Sequence, residues 1–176
     1  MSLNINDFKS KLTGGGARPN LFKCTITNPT IAAGIDPELS SFMCKGGTLP
    51  ASTIGEIAVP FRGRELKVAG DRTFENWTAT IINDTSFALR NAFERWMNSI
   101  NAHAAGTALS TNPTDYQAQI YVSQLDRKGD VLKQYIIEGA FPVSVSAIDL
   151  SFDTNDAVEE YTVDFAYQYW LSDTTT

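Results

Sequence analysis

Alternation between apolar and polar side chains, more than any helical period, organises this chain. Phe22, Cys24 and Ile26 alternate with Lys23, Thr25 and Thr27, which predicts a half-buried strand. Trp77, Ala79 and Ile81 form one face of a second strand, from Phe74 to Asn83. Ala118, Ile120 and Val122, preceded by Tyr116, repeat the pattern, with Tyr121 out of phase among the polar positions. Asp126-Arg127-Lys128-Gly129-Asp130 predicts a hairpin turn, and Val131 to Gly139 returns antiparallel. From Phe141 to Phe152 the apolar set runs Phe141, Val143, Val145 and then Ile148, Leu150, Phe152. That slip of phase near Ala147 predicts a bulge or a strand passing between sheets. Tyr161, Val163, Phe165, Tyr167 and Tyr169 share one face of a last, long strand.

One segment breaks the rule. After Asp84, Thr85 and Ser86, each a good N-cap, Leu89, Phe93, Trp96, Met97 and Ile100 fall on one stripe of a helix. That stripe should pack on a sheet and close one end of a core. Residues 28 to 47 read as a loop with turn signals at Asn28-Pro29 and Asp36-Pro37. Thr13-Gly14-Gly15-Gly16 and Cys44-Lys45-Gly46-Gly47 read as joints, and neither has the Lys-Ser/Thr pair of a phosphate loop. Between them and the second strand, Leu49 to Arg72 holds two short apolar pieces around Pro60-Phe61-Arg62-Gly63-Arg64. Proline lacks an amide donor and weakens a central strand, so this stretch is an exposed hairpin or arm, against the alternative of an ordinary surface loop. The expectation is a mainly β protein: a β-sandwich or barrel of about six or seven antiparallel strands, one docked helix near 86–102 and an extended arm near 49–72.

Composition removes several kinds of chemistry. At 176 residues and 43% hydrophobic content, one packed domain spanning 1–176 is expected. No apolar run reaches the roughly 20 residues that span a bilayer, and Met1 to Leu12 lacks the order of a signal peptide, so a soluble cytoplasmic product is expected. Histidine occurs once, at His103 behind the helix, with nothing around it that forms a catalytic constellation. The two cysteines, Cys24 and Cys44, show no metal spacing. No catalytic, cofactor or metal residue is therefore assigned, and an enzyme is not expected. Net charge is −6, which disfavours a dedicated nucleic-acid binder. The charge is uneven: Asp149 to Thr176 carries seven acids and no base, while Phe61 to Arg72 has a net charge of +2. A basic, partly apolar arm and an acidic C-terminal segment suit a head-to-tail self-contact, although a solvated acidic strand pair explains the second feature equally well.

Several segments together are familiar. Pro60-Phe61-Arg62-Gly63-Arg64, the run Lys67 to Arg72 (KVAGDR), Trp77 to Asp84 (WTATIIND) and Arg90 to Trp96 (RNAFERW) follow one another in a set order. With the strand from Tyr116 to Leu125 and Glu138 to Pro142 (EGAFP), the sequence resembles the major tail tube proteins of contractile-tailed bacteriophages. The resemblance implies a fold shared with the inner tubes of type VI secretion and other contractile injection systems. It implies hexameric rings that stack into a tube inside a contractile sheath, assembled in the host cytoplasm and carried in the virion. The implied partners are further copies of the chain, the sheath, baseplate and tail-terminator proteins, and tape-measure protein and genome DNA in the channel, without membrane anchoring or catalysis.

Under that reading, ring stacking falls to the arm, through Leu49, Ile54, Ile57, Val59, Pro60, Phe61, Arg62, Arg64, Lys67 and Arg72. The N-terminal segment 1–19 and the stretch 40–72 serve assembly. Arg90, Glu94 and Arg95 face either the sheath or solvent. Cys24 has core parity, and Cys44 sits near the arm, where an intersubunit disulfide with a neighbour is conceivable. An inner-tube subunit of a secretion system or tailocin is the nearest alternative. A small ligand-binding β-barrel is the alternative from another class.

Overall fold

The fold was obtained as a computed structural model, which describes residues 4–108 and 110–175. Its framework is a seven-stranded antiparallel sheet folded on itself. The strands are β1 (Phe22–Ile26), β2 (Cys44–Gly47), β5 (Trp77–Ile82), β6 (Ala118–Leu125), β7 (Val131–Val145), β8 (Glu160–Ala166) and β9 (Tyr169–Ser172). Their spatial order is β1-β6-β7-β8-β5-β2, with β9 added on β7. The path does not close on itself among the described residues, which decides for a sandwich and against a closed barrel. Two more strands, β3 (Thr53–Phe61) and β4 (Arg64–Thr73), pair only with each other among the described residues.

Period-two patterning forms the core as expected. Cys24, Ile26, Ile120, Val122 and Ile137 point inward from one half of the sheet. Trp77, Ala79, Ile81, Tyr161, Val163 and Phe165 do so from the other. All belong to one buried cluster. The helix α3 (Ala88–Ile100) completes it with Leu89, Ala92, Phe93 and Trp96. Phe165 is the hinge of this packing, with ring centroids 5.9 Å from both Trp77 and Phe93 and 6.2 Å from Trp96. The Trp96 indole donates to the Tyr116 carbonyl at 2.8 Å, so the large ring is buried without an orphaned N–H.

The crossing between half-sheets lies earlier than the sequence suggests. β7 runs unbroken to Val145, pairing with β6 and β9 over its first part and with β8 from Phe141 onward. The chain turns at Gly139, whose φ is +65° and where a Cβ would stand 2.7 Å from Gln168 Cγ. The expected last strand breaks at the same corner. β8 ends at Ala166, Gln168 N–H donates to the Glu138 carbonyl at 3.0 Å, and β9 continues on the other half-sheet. The expected strand from Phe141 to Phe152 is therefore shortened, and Leu150 and Phe152 lie exposed in a loop. Alternation there is coincidental: after one last backbone bond, from Ser146 N–H to the Thr162 carbonyl at 2.9 Å, the segment has no strand partner among the described residues.

Three short helices were not anticipated: α1 (Ile5–Lys11), α2 (Pro37–Met43) and α4 (Pro113–Tyr116). In α2, Asp36 caps Glu38 N–H at 2.9 Å and Pro37 occupies the first turn. Asp-Pro is here a helix start and not the end of a loop. The glycine pair after Cys44 is also no joint. It forms edge strand β2, and Gly47 leaves room for Trp77, since a Cβ there would lie 3.1 Å from its ring.

Helix α3 starts later than its cap candidates imply. Phe87 stands at φ +53°, and Asp84 reaches forward to accept from Ala88 N–H at 3.0 Å. The Ser86 hydroxyl bonds to the same carboxylate and holds its pKa below the usual value. Tyr161 is the packing defect of this region. Its hydroxyl is buried without a partner among the described residues, and burial pushes its pKa well up. Removing an unsatisfied hydroxyl from an otherwise intact ring should be neutral or stabilising by up to about 1 kcal/mol. Chemical denaturation of Tyr161→Phe checks this, and a loss of more than about 1 kcal/mol would show a hidden partner for that oxygen.

Candidate assembly surfaces

The arm is an amphipathic ribbon. β3 and β4 meet at a two-residue turn in which Arg62 and Gly63 have φ of +46° and +81°, the signature of a type I′ hairpin. Ile57 pairs with Val68, Val59 with Leu66 and Phe61 with Arg64. Directly paired residues share a face, so Ile57, Val59, Phe61, Leu66 and Val68 form one apolar surface capped by Arg64. Glu56, Pro60, Glu65 and Lys67 lie on the opposite face, where Lys67 Nζ contacts Glu56 Oε1 at 2.9 Å. A bulge at Gly55 separates this regular part from Ile54 and Arg72, and a Cβ on Gly70 would press to 3.1 Å of the Gly55 carbonyl oxygen.

Every side chain of the apolar face is open to solvent, with Phe61 66% and Leu66 62% exposed. An isolated two-stranded hairpin is marginal in water, and a contiguous apolar face of this kind marks a contact surface. At its root the arm is tied to the body by backbone carbonyls. Trp77 Nε1 donates to Thr48 at 2.7 Å, and Trp170 Nε1 to Ala51 at 3.1 Å. Of the ten residues the sequence nominated, Ile57, Val59, Phe61 and Arg64 lie on the apolar face. Pro60 and Lys67 lie on the other face, Arg62 at the tip, Ile54 and Arg72 at the bulge, and Leu49 at the root. Leu66 and Val68 were missed. Their period-two spacing was visible, and only the register shows that they complete the face.

A second unpartnered surface is α1. Asn4 caps it, accepting from Asn6 N–H at 3.3 Å, and no residue of the helix is buried. Ile5, Phe8 and Leu12 are exposed along it, at a helical spacing that the sequence itself displays. Met1 to Leu3, part of the N-terminal segment assigned to assembly, fall outside the described residues.

The polar face of α3 divides. Arg90 turns inward: its Nε meets Glu94 Oε1 at 2.9 Å, its Nη1 donates to the Ser146 carbonyl at 2.7 Å, and its guanidinium lies 5.1 Å from the Tyr161 ring centre. Glu94 and Arg95 stay at the surface beside His103, around an open depression of about 550 Å³. Cys24 and Cys44 are both buried inside the subunit.

A sandwich whose core is filled by its own rings, and whose surplus apolar residues are displayed on a projecting ribbon, is a subunit built for association. The family model of the phage tail tube protein matches residues 17–173, and the chain belongs to that family. It is 34% identical to tail tube protein gp19 of Enterobacteria phage T4 over 159 residues, covering 90% of this chain and 93% of the relative. It is 31% identical to the tail tube protein of Serratia phage KSP90, over 96% and 97% of the two chains. Its fold resembles a chain of the anti-feeding prophage baseplate (TM-score 0.67, 14% identity, 89% and 95% covered). It also resembles one from the PVC sheath-tube complex in the extended state (TM-score 0.60, 13% identity, 93% and 96% covered). The protein is accordingly a structural component of the virion tail and not an enzyme.

Proposed function

We propose that this chain forms hexameric rings that stack, through the arm from Leu49 to Arg72, into the inner tube of a contractile phage tail. The observation that carries the reading is the solvent-exposed apolar face of β3 and β4, which has no partner among the described residues of the subunit. A second copy supplies one, because a heterologous contact repeated along an axis generates a stack. The α1 segment, with its own exposed Ile5, Phe8 and Leu12, assists. Lateral closure of the ring uses edge strands, whose unpaired backbone groups need a partner.

Within the tail, the surface formed by Glu94 and Arg95 meets the sheath, while Arg90 holds the helix to the loop after β7. Baseplate and terminator proteins end the stack, and tape-measure protein and then DNA occupy the channel. The overall negative charge favours passage of phosphates without retention. The acidic stretch is part structural, since Glu160 pairs with Lys45 at 2.5 Å and Glu159 accepts from Asn83 at 2.8 Å.

Electron microscopy of the purified protein, alone and with a baseplate partner as template, tests the reading. Uniform rings or tubes with a central hole are expected. A chain that stays monomeric at high concentration with the template present would overturn it.

A further inference from the structure

The folded sheet has two end strands, β1 and β2, and each places one cysteine inward. Cys24 lies at the centre of β1 opposite Val122, and Cys44 opens β2 opposite Ile81. Helix α2 spans the gap between them and is pinned to β1 by Ser40, whose Oγ accepts from Ile26 N–H at 3.2 Å. The two thiols sit in the same buried cluster, 1% and 7% exposed, where strands β1 and β2 approach each other. We propose that Cys24 and Cys44 are an oxidative modification site, forming an intrasubunit disulfide that ties the two end strands together once the protein leaves the reducing cytoplasm.

The pair is chemically asymmetric. The neighbouring Cys24 thiol holds the Cys44 thiol below its usual pKa, while the Cys44 thiol and burial push Cys24 well up. Thiolate character therefore collects on Cys44, the more exposed of the two. A peroxide is small enough to reach it. The Cys44 thiolate attacks hydrogen peroxide, the O–O bond breaks, and sulfenic acid forms with release of hydroxide. The Cys24 sulfur then attacks the Cys44 sulfur. The S–S bond forms as the S–O bond breaks, and the departing hydroxide takes the Cys24 proton as water. In balance, two thiols lose two electrons and two protons, and peroxide becomes two waters.

The test treats the reduced full-length protein with hydrogen peroxide, then alkylates it in denaturant. The oxidised protein should be lighter by two hydrogens, refuse alkylation at both cysteines and run as a monomer on non-reducing gels. Trypsin leaves both cysteines in one peptide, Cys24 to Lys45, and further cleavage before Asp36 should yield two pieces that separate only on reduction. Closing this loop should raise the melting temperature by about 5–10 °C, and neither Cys24→Ala nor Cys44→Ala should show the rise. Full alkylation after peroxide, bands at twice the monomer mass, or a stable sulfinic acid at Cys44 would each overturn the proposal. The mass measurement on the native chain stands even if a variant fails to fold.

Discussion

Val59→Asp should abolish tube formation while leaving the free subunit folded. Val59 is 45% exposed, faces Leu66 across the ribbon and belongs to no part of the core. Its replacement should therefore move the melting temperature of the monomer by no more than about 2 °C, as for other surface changes. In a stacked assembly the same carboxylate would be desolvated against apolar side chains. An unpaired buried charge costs several kcal/mol, and on the order of 3 kcal/mol already weakens one contact more than 100-fold. Because each subunit repeats the contact, the loss compounds along the tube. Sedimentation and electron microscopy of the variant, beside a thermal melt, measure both halves of the expectation. Tubes of normal length would show that this face is not the stacking surface. Val59→Ala, which removes apolar area without adding charge, should assemble more weakly and at higher concentration.

The second large effect is expected at the opposite end of the burial scale. Phe165→Ala should destabilise the subunit by about 3–5 kcal/mol, because its ring has no exposed surface and joins Trp77, Phe93 and Trp96. The cavity would open between a strand and α3, where the surrounding large rings cannot all shift to fill it. For a chain of this size each kcal/mol moves the midpoint by about 2–4 °C, so a fall of roughly 8–15 °C is expected. Thermal unfolding followed by near-ultraviolet dichroism reads it directly. A change below about 1 kcal/mol would mean that the core is far more plastic than its three ring contacts, one edge-on and two tilted, imply.

These two positions also show what could be read from sequence. Phe165 and Val59 both sit in alternating runs, and alternation reports a face, not what covers it. For Trp77, Ala79 and Ile81 the covering element was legible as well, because the apolar stripe from Leu89 to Ile100 had no other use. Pro60 made the arm legible, since a residue without an amide donor fits a two-stranded ribbon better than a sheet interior. The corner at Gly139 was not legible. Its positive φ and its crowding by Gln168 arise from two segments far apart in the chain, and neither carries a local signal. Leu150 and Phe152 misled for the reverse reason: they alternate, yet β8 pairs only as far as Val145 and leaves them exposed. Helix α2 hid behind an Asp-Pro pair that starts helices as readily as it makes turns. For Cys24 and Cys44 the parity of the first was readable. Their meeting in one cluster was not, because it depends on which strands end the sheet.

The root of the arm has a mechanical consequence. Thr48 is held by Trp77, in the half-sheet that contains β5 and β8, and Ala51 by Trp170, on β9 in the other half. A thrust arriving along the ribbon is thus shared between two anchor points on opposite leaves, and those leaves are stitched by a single strand running through both. Under load the two leaves must move as one, and no lone edge strand is left to peel away first.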